Sequence, residues 1–342
     1  MAFSWSQTNR PIVALAPMAG VTDASYRQLI KRIAPETIVY TEFLSTDAIH
    51  FGAKKTMEMI SFDASIERPF IVQVFGKDPD HFLSAAKVIE ELGADGIDIN
   101  MGCPAAKVVS SCHGSALIRD PDLAVRLVEA TVKAVKIPVS VKTRLGWETI
   151  DTLIPFCKRL IDAGAQALAI HGRRYHDKFS GAANWEPIYE LKKHVSVPVI
   201  GNGDIMNAED AVTKIGDLDG VMVGRGTFGN PWVMGEIAQA LKNRLSFDRL
   251  SFFVDEAPRE TKNEKPINES MIIMRPLTFA EKIPWILEHC ELAVRTKGEK
   301  RGMLEMRRHL ASYIKGVDGA KEMRERLVRV ERIDDVRAVL CA

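Results

Sequence analysis

Eight short apolar runs, each followed by an amphipathic stretch, constrain this chain more than any other feature. They are Ile12–Ala16, Thr37–Thr41, Phe70–Phe75, Ile97–Asn100, Pro138–Lys142, Ala167–His171, Pro198–Asn202 and Gly220–Gly224. A parallel strand covered by crossover helices is buried on both faces, so it reads as a continuous apolar run instead of an alternating one. Between the runs, Asp80–Leu92 carries apolar residues at helical spacing and stops before Gly93, a C-cap residue. Asp120-Pro121 supplies an N-cap and a first helical residue for another segment. Count and order predict an α/β fold, a (β/α)8 TIM barrel over residues 1–243. A doubly wound sheet is the structural alternative, but it usually has fewer repeats and a switch point.

The 342 residues exceed what such a barrel needs. Residues 255–270 are almost wholly polar with two prolines, so 244–278 reads as a linker or insert. From 279 to 342 the pattern is helical, which predicts a small C-terminal all-helical domain. Between Arg295 and Arg329 eleven Lys/Arg stand against five Asp/Glu, a local net of +6 in a chain whose total is +1. A basic helical unit behind a near-neutral barrel suits a polyanionic partner, with a solvated helix face as the plain alternative.

An apolar share of 46% with 27% charged residues describes a soluble globular protein. No apolar run approaches the roughly 18–20 residues of a membrane span, and no charged-then-apolar leader precedes the first strand. A cytoplasmic location without membrane attachment is expected. The five cysteines are odd in number and form no CxxC pair, which argues against a disulfide framework or a zinc site. Free thiols, no metal and a monomeric protein are expected.

The unusual residues cluster where the predicted strands end: Ala16–Gly20, Asn100–Pro104, Lys142 and Arg144, His171–Arg173, Gly201–Asp204 and Gly224–Gly226, with Gln73 inside strand three. In barrels of this kind the active site is built at that face. Gly-Asn-Gly-Asp after strand seven and Gly-Arg-Gly after strand eight stand where many barrels bind phosphate. Glycines let backbone N–H groups approach the oxygens and Arg225 adds a planar fork. Lys142 has three readings: a cation beside an anionic ring, a Schiff-base nucleophile, or half of a buried ion pair. Cys103, between Gly102 and Pro104, is a thiol held in one place at the site face. General acid and nucleophile both remain open for it, while a redox or metal pair with Cys112 and His113 is the weaker reading.

Taken in order, Ala16-Pro17-Met18-Ala19-Gly20-Val21-Thr22-Asp23, Tyr40-Thr41-Glu42, Asp98-Ile99-Asn100-Met101-Gly102-Cys103-Pro104, Gly114-Ser115-Ala116-Leu117 and Val141-Lys142-Thr143-Arg144 resemble the tRNA-dihydrouridine synthases. So do Ile170-His171-Gly172-Arg173, Gly201-Asn202-Gly203-Asp204-Ile205 and Gly224-Arg225-Gly226, and, more faintly, His309–Gly316. Within the family the chain looks most like the bacterial B-type branch. The resemblance implies a barrel that binds FMN, takes electrons from NADPH and reduces the C5–C6 double bond of uridines in the tRNA D-loop. It implies that Pro17, Met18 and Ala19 wrap the flavin ring and that Gln73 bonds its pyrimidine edge. Lys142 and His171 would approach the ring and ribityl chain, and Asn202, Gly203, Asp204, Gly224 and Arg225 would hold the tail and phosphate. Hydride would reach C6 while Cys103 protonates C5 from the opposite face. Asn100 would touch the uracil, and Arg144, Arg173, Arg307 and Arg308 would face the RNA.

The chain departs from the family at Ala106, where a basic residue is usual, at Ser111-Cys112-His113-Gly114, where glycines are usual, and in the length of 255–270. Three rivals stay open. They are an FMN barrel acting on a free pyrimidine, a Schiff-base aldolase using Lys142, and a non-catalytic RNA-binding module on a barrel scaffold.

Overall fold

The computed structural model describes residues 3–254 and 277–341, so the polar segment 255–270 lies outside the described residues. Its first unit is a parallel barrel. The strands are β1 (Ile12–Leu15), β2 (Val39–Tyr40), β3 (Leu44–Ser45), β4 (Phe70–Phe75), β5 (Gly96–Met101), β6 (Val139–Arg144), β7 (Leu168–His171), β8 (Val199–Asn202) and β9 (Gly220–Val223). They pair in the order β1-β9-β8-β7-β6-β5-β4-β2, and the seam between β1 and β2 is bridged in parallel by Ala14 and Ile38. The eight expected runs are therefore the eight staves of a barrel.

The second stave is split. β2 pairs with the start of β4 and β3 with its end, and the ladder breaks after Thr41, whose N–H still donates to the Ile71 carbonyl at 3.0 Å. There the Thr41 hydroxyl accepts the main-chain N–H of Gln73 at 3.0 Å, replacing a main-chain carbonyl. A side chain doing backbone work leaves no hydrophobic signature, and the short β3 was not expected.

The helices between staves include α1 (Ala24–Ile33), α2 (Thr46–His50), α3 (Lys54–Ile60) and α4 (Pro79–Glu91), followed by the short α5 (Ala106–Val109). Then come α6 (Pro121–Ala134), α7 (Leu153–Asp162), α8 (Glu186–His194) and α9 (Ala208–Ile215). Two begin as their sequences require. Asp78 and Asp120 cap α4 and α6 with side-chain carboxylates, each followed by proline in the first turn. Alternation along the strands separates two cores. Val13, Leu15, Val72, Val74, Ile97, Ile99, Val139, Val141, Val221 and Val223 face the helices. Ile12, Ala14, Ile38, Tyr40, Ile71, Ala169, Ile200 and Met222 fill the barrel, with Trp5 among them.

The last barrel helix, α10 (Val233–Val254), runs past residue 243, so the first eleven residues of the expected linker or insert are helical. Beyond lie α11 (Phe279–Lys297), α12 (Glu299–Tyr313), α13 (Ala320–Leu327) and α14 (Ile333–Leu340). They share their own core of Ile286, Cys290, Met303, Met306, Leu310, Tyr313, Leu327 and Val336, into which Trp232 of the barrel inserts. Further ties reach α1: Arg295 donates to Gln28 Oε1 at 2.7 Å, and Lys297 and Arg32 pair with Asp23 and Glu288. Among the described residues no helix is long and apolar enough to cross a membrane.

Candidate active site

The inward positions toward the C-terminal ends of β4–β8 are polar, above the apolar filling of the barrel. The parallel register sets Gln73 beside Asp98 and Asp98 beside Ser140, and one step higher Asn100 beside Lys142. Around the rim Arg144 adjoins His171, and His171 adjoins Asn202. These strand ends open into a cavity of about 510 Å³. Ala16, Pro17, Met18 and Ala19 line it beside Gly224–Gly226, as the pairing of β1 with β9 requires, with Asn202–Met206 on the next strand end. Lys142, Arg144, His171, Asn100 and Cys103 complete the lining.

Cys103 sits on a loop whose main chain is fully anchored. The Gly102 and Cys103 N–H groups donate to Asn100 Oδ1 at 3.1 and 2.9 Å. The Gly102 carbonyl accepts Arg144 Nε at 2.6 Å, and the Cys103 carbonyl accepts the Ser115 hydroxyl at 2.8 Å. Gly114 makes this closeness possible. Its φ is +61°, and a Cβ there would fall 2.9 Å from the Cys103 carbonyl oxygen. The thiol is half-buried, and none of the five cysteines is paired in a disulfide. Cys112 is exposed, and His113 packs on Phe75 with its buried Nε2 lacking a partner. Among the described residues no group of three or more His, Cys, Asp or Glu could hold a metal ion.

The opposite end is cationic. Lys142 Nζ donates to Asn202 Oδ1 at 3.0 Å, and burial together with the Arg144 charge brings the ammonium down to about 8. Burial, followed by the charges of Lys142, Arg144, Arg173 and Arg225, holds His171 far below the usual imidazole range, so its ring is neutral. Arg173 Nη1 stands 3.2 Å from His171 Nε2, which fixes that nitrogen as the acceptor. Asp204 gathers the arginines. Arg173 Nη2 reaches both its oxygens at 2.6 and 2.8 Å, and Arg225 Nη2 reaches Oδ1 at 2.9 Å. Burial would raise this carboxyl, but the Arg173 bond and the Ala183 amide keep it below its ordinary value. Gly203 adopts φ +130°, and a side chain there would press on Ala183 and His171.

Most of the expected site residues line one cavity, and the remaining four expected residues are placed as follows. Gln73 is fully buried and does not line the cavity; its amide is engaged by Asp98 and Asn100 below the floor. Arg144 and Arg173, expected to face RNA, are buried, because each finds carbonyl or carboxylate acceptors inside: Gly102, Arg174 and Lys178 for Arg144, Ser180, Gly181 and Asp204 for Arg173. Arg307 donates to the Val330 and Arg329 carbonyls and so fastens the helical domain to itself. Arg308 does face out. Its guanidinium lies 5.0 Å over Phe228 and close to Gly20, on a groove of about 1060 Å³ between barrel and helical domain.

Sequence reasoning missed several residues of the site. Phe43, Phe179 and Met206 line the cavity, and Phe179 lies 5.4 and 5.5 Å from the Arg144 and Arg225 guanidiniums. Asp98 and Ser140 form its underside. The available signal was periodicity: Asp98 and Asn100 share the inward face of one buried strand, where two polar residues have no packing reason to stand.

Residues 14–341 match the family model described as Dihydrouridine synthase (Dus). The chain is 35% identical to the probable tRNA-dihydrouridine synthase 1 of Synechocystis sp. over 331 residues, 96% of this chain and 85% of that protein. It is 42% identical to a probable tRNA-dihydrouridine synthase of Rhizobium leguminosarum bv. phaseoli over 235 residues, 68% of this chain and 73% of the other. With tRNA-dihydrouridine synthase B of Pseudomonas aeruginosa it shares 36% identity over 323 residues, 94% and 89% of the two chains.

Proposed function

Because the chain belongs to the dihydrouridine synthase family, we propose that it reduces uridines of the tRNA D-loop, with FMN and NADPH supplying electrons and Cys103 the proton. One observation carries the reading. A thiol on a fully hydrogen-bonded stretch of backbone lines a cavity that also offers an apolar wall and a cationic, glycine-lined part.

The cavity suits FMN on its own chemistry. Ala16, Pro17, Met18 and Ala19 offer a smooth apolar face to a flat ring, and Met222 adds to it. The other end pairs Arg225, whose side chain is 55% exposed, with the bare backbone of Gly203, Gly224 and Gly226, a combination that suits a phosphate. Held there by these residues and reduced by NADPH, a bound FMN would supply the hydride for C6 of the uracil.

The chain's own residues then account for the rest. Lys142 brings a positive charge to the ring side of the cavity, braced by Asn202. The neutral His171 adds no second charge there. Arg173 holds Asp204, and Asp204 holds Arg225 toward the phosphate end. Cys103 is the group placed to give a proton to C5. Such a donor depends on fixed geometry, and every main-chain polar group of Gly102 and Cys103 is tied. The target base must leave the RNA fold to enter, so contacts elsewhere have to offset unstacking; Arg308 on the interdomain groove is placed to make one.

Dihydrouridine mapping of RNA from cells with and without the protein tests the reading. Loss of dihydrouridine at tRNA D-loop positions is expected on deletion, and an unchanged tRNA map would refute it.

A further inference from the structure

We propose that Asp98 is a positioning residue: it sets the direction of a hydrogen-bond chain beneath Cys103 and, through that chain, the placement of the thiol. The proposal rests on reading Cys103 as the proton donor. A carboxylate has no proton to give, so both of its neighbours must donate, Gln73 Nε2 at 2.6 Å and Ser140 Oγ at 2.6 Å. With Nε2 turned to Asp98, Gln73 presents Oε1 to Asn100, which answers with Nδ2 at 2.8 Å. That leaves Asn100 Oδ1 aimed at the loop, where it accepts the Gly102 and Cys103 N–H groups. Neither amide has a direction of its own, because its oxygen and nitrogen ends fill nearly the same space. Reversed, Asn100 would turn its NH2 against two N–H donors and the loop would lose both bonds.

Two further observations favour this role over simple core filling. Asp98, Gln73 and Ser140 do not line the cavity, so they act on chemistry only through residues above them. Burial also raises the Asp98 carboxyl to about 6, so the fold carries a costly buried charge at neutral pH where an apolar residue would pack more cheaply.

The test is Asp98→Leu, which removes the acceptor, beside Asp98→Asn, which keeps a carbonyl for Gln73 and offers an amide to the Ser140 hydroxyl. Ser140→Ala serves as control, since it leaves the bond to Gln73 intact. All are made in full-length protein with the exposed Cys112 and Cys341 replaced by Ser. Cys103 alkylation by iodoacetamide, kcat and KM for tRNA, and melting temperature are measured together. In Asp98→Leu, alkylation should accelerate several-fold and kcat fall by about tenfold or more while KM for tRNA stays within about twofold. Ser140→Ala should behave like the parent in both, while Asp98→Asn, an amide that Gln73 and the Ser140 hydroxyl can hold either way round, should fall between the parent and Asp98→Leu. If Asp98→Leu does not fold, Gln73→Met cuts the same chain one link higher and should give the same signature. A folded Asp98→Leu with parental alkylation and kcat overturns the proposal, as does Ser140→Ala or Asp98→Asn failing as badly. The alkylation rate reports on positioning whether or not Cys103 is the acid, and full uridine reduction by Cys103→Ala would refute the acid reading separately.

Discussion

A carboxylate as deeply buried as Asp98 costs stability whenever it is charged, and its sign with pH follows. The group holds its proton more tightly folded than unfolded, at about 6 against 3.8. Its contribution is therefore fully present below 3.8 and is lost as pH rises through 6. Asp98→Asn removes the buried charge, so at pH 8 it should melt at or above the parent temperature. The difference should close toward pH 4, where the parental carboxyl is neutral too. A variant whose deficit is widest at pH 8 would contradict this account. At this scale the sequence was informative about residue types and silent about directions. Cys103, Lys142, His171, Asn202 and Arg225 stand out by position at strand ends. That Arg144 and Arg173 turn inward depends on carbonyls of Gly102, Lys178 and Gly181, which no sequence pattern displays.

Among the elements, the barrel staves and capped helices were legible because burial on both faces and an Asp-Pro start leave strong local marks. The break between β2 and β3 was not, since it turns on one threonine hydroxyl standing in for a carbonyl. The end of α10 escaped for another reason. A polar patch at Lys242-Asn243-Arg244 interrupts its apolar pattern while the helix runs on to Leu250-Ser251-Phe252-Phe253-Val254, and such a patch marks a change of face, not the end of a helix. The Cys103 loop lies between these cases. Gly-Cys-Pro announced a fixed thiol, while the anchors at Ser115 and Gly114, about a dozen residues on, become adjacent only through the fold.

Across the whole molecule, several cations of the basic tail are engaged within the fold. Lys297 pairs with Asp23 and Glu305, Arg301 with Glu305, and Arg295 and Arg307 serve Gln28 and main-chain carbonyls. Arg308 remains exposed on the interdomain groove. Arg308→Ala should thus weaken tRNA binding and reduce the salt slope by roughly one unit, as loss of a phosphate contact does. Arg307→Ala should instead lower the melting temperature and leave the slope alone. Equal slopes for Arg308→Ala and the parent would remove that residue from the interface.

The joined account, apolar wall, cationic end and anchored thiol acting on one base, is tested most directly by Cys103→Ala. Flavin content and NADPH oxidation should stay close to the parent, while reduction of uridine in tRNA falls by roughly 10²–10⁴-fold, the usual contribution of a positioned acid. A variant that reduces uridine at the parental rate, or that loses its flavin along with its activity, would contradict the assignment of Cys103 as the proton donor.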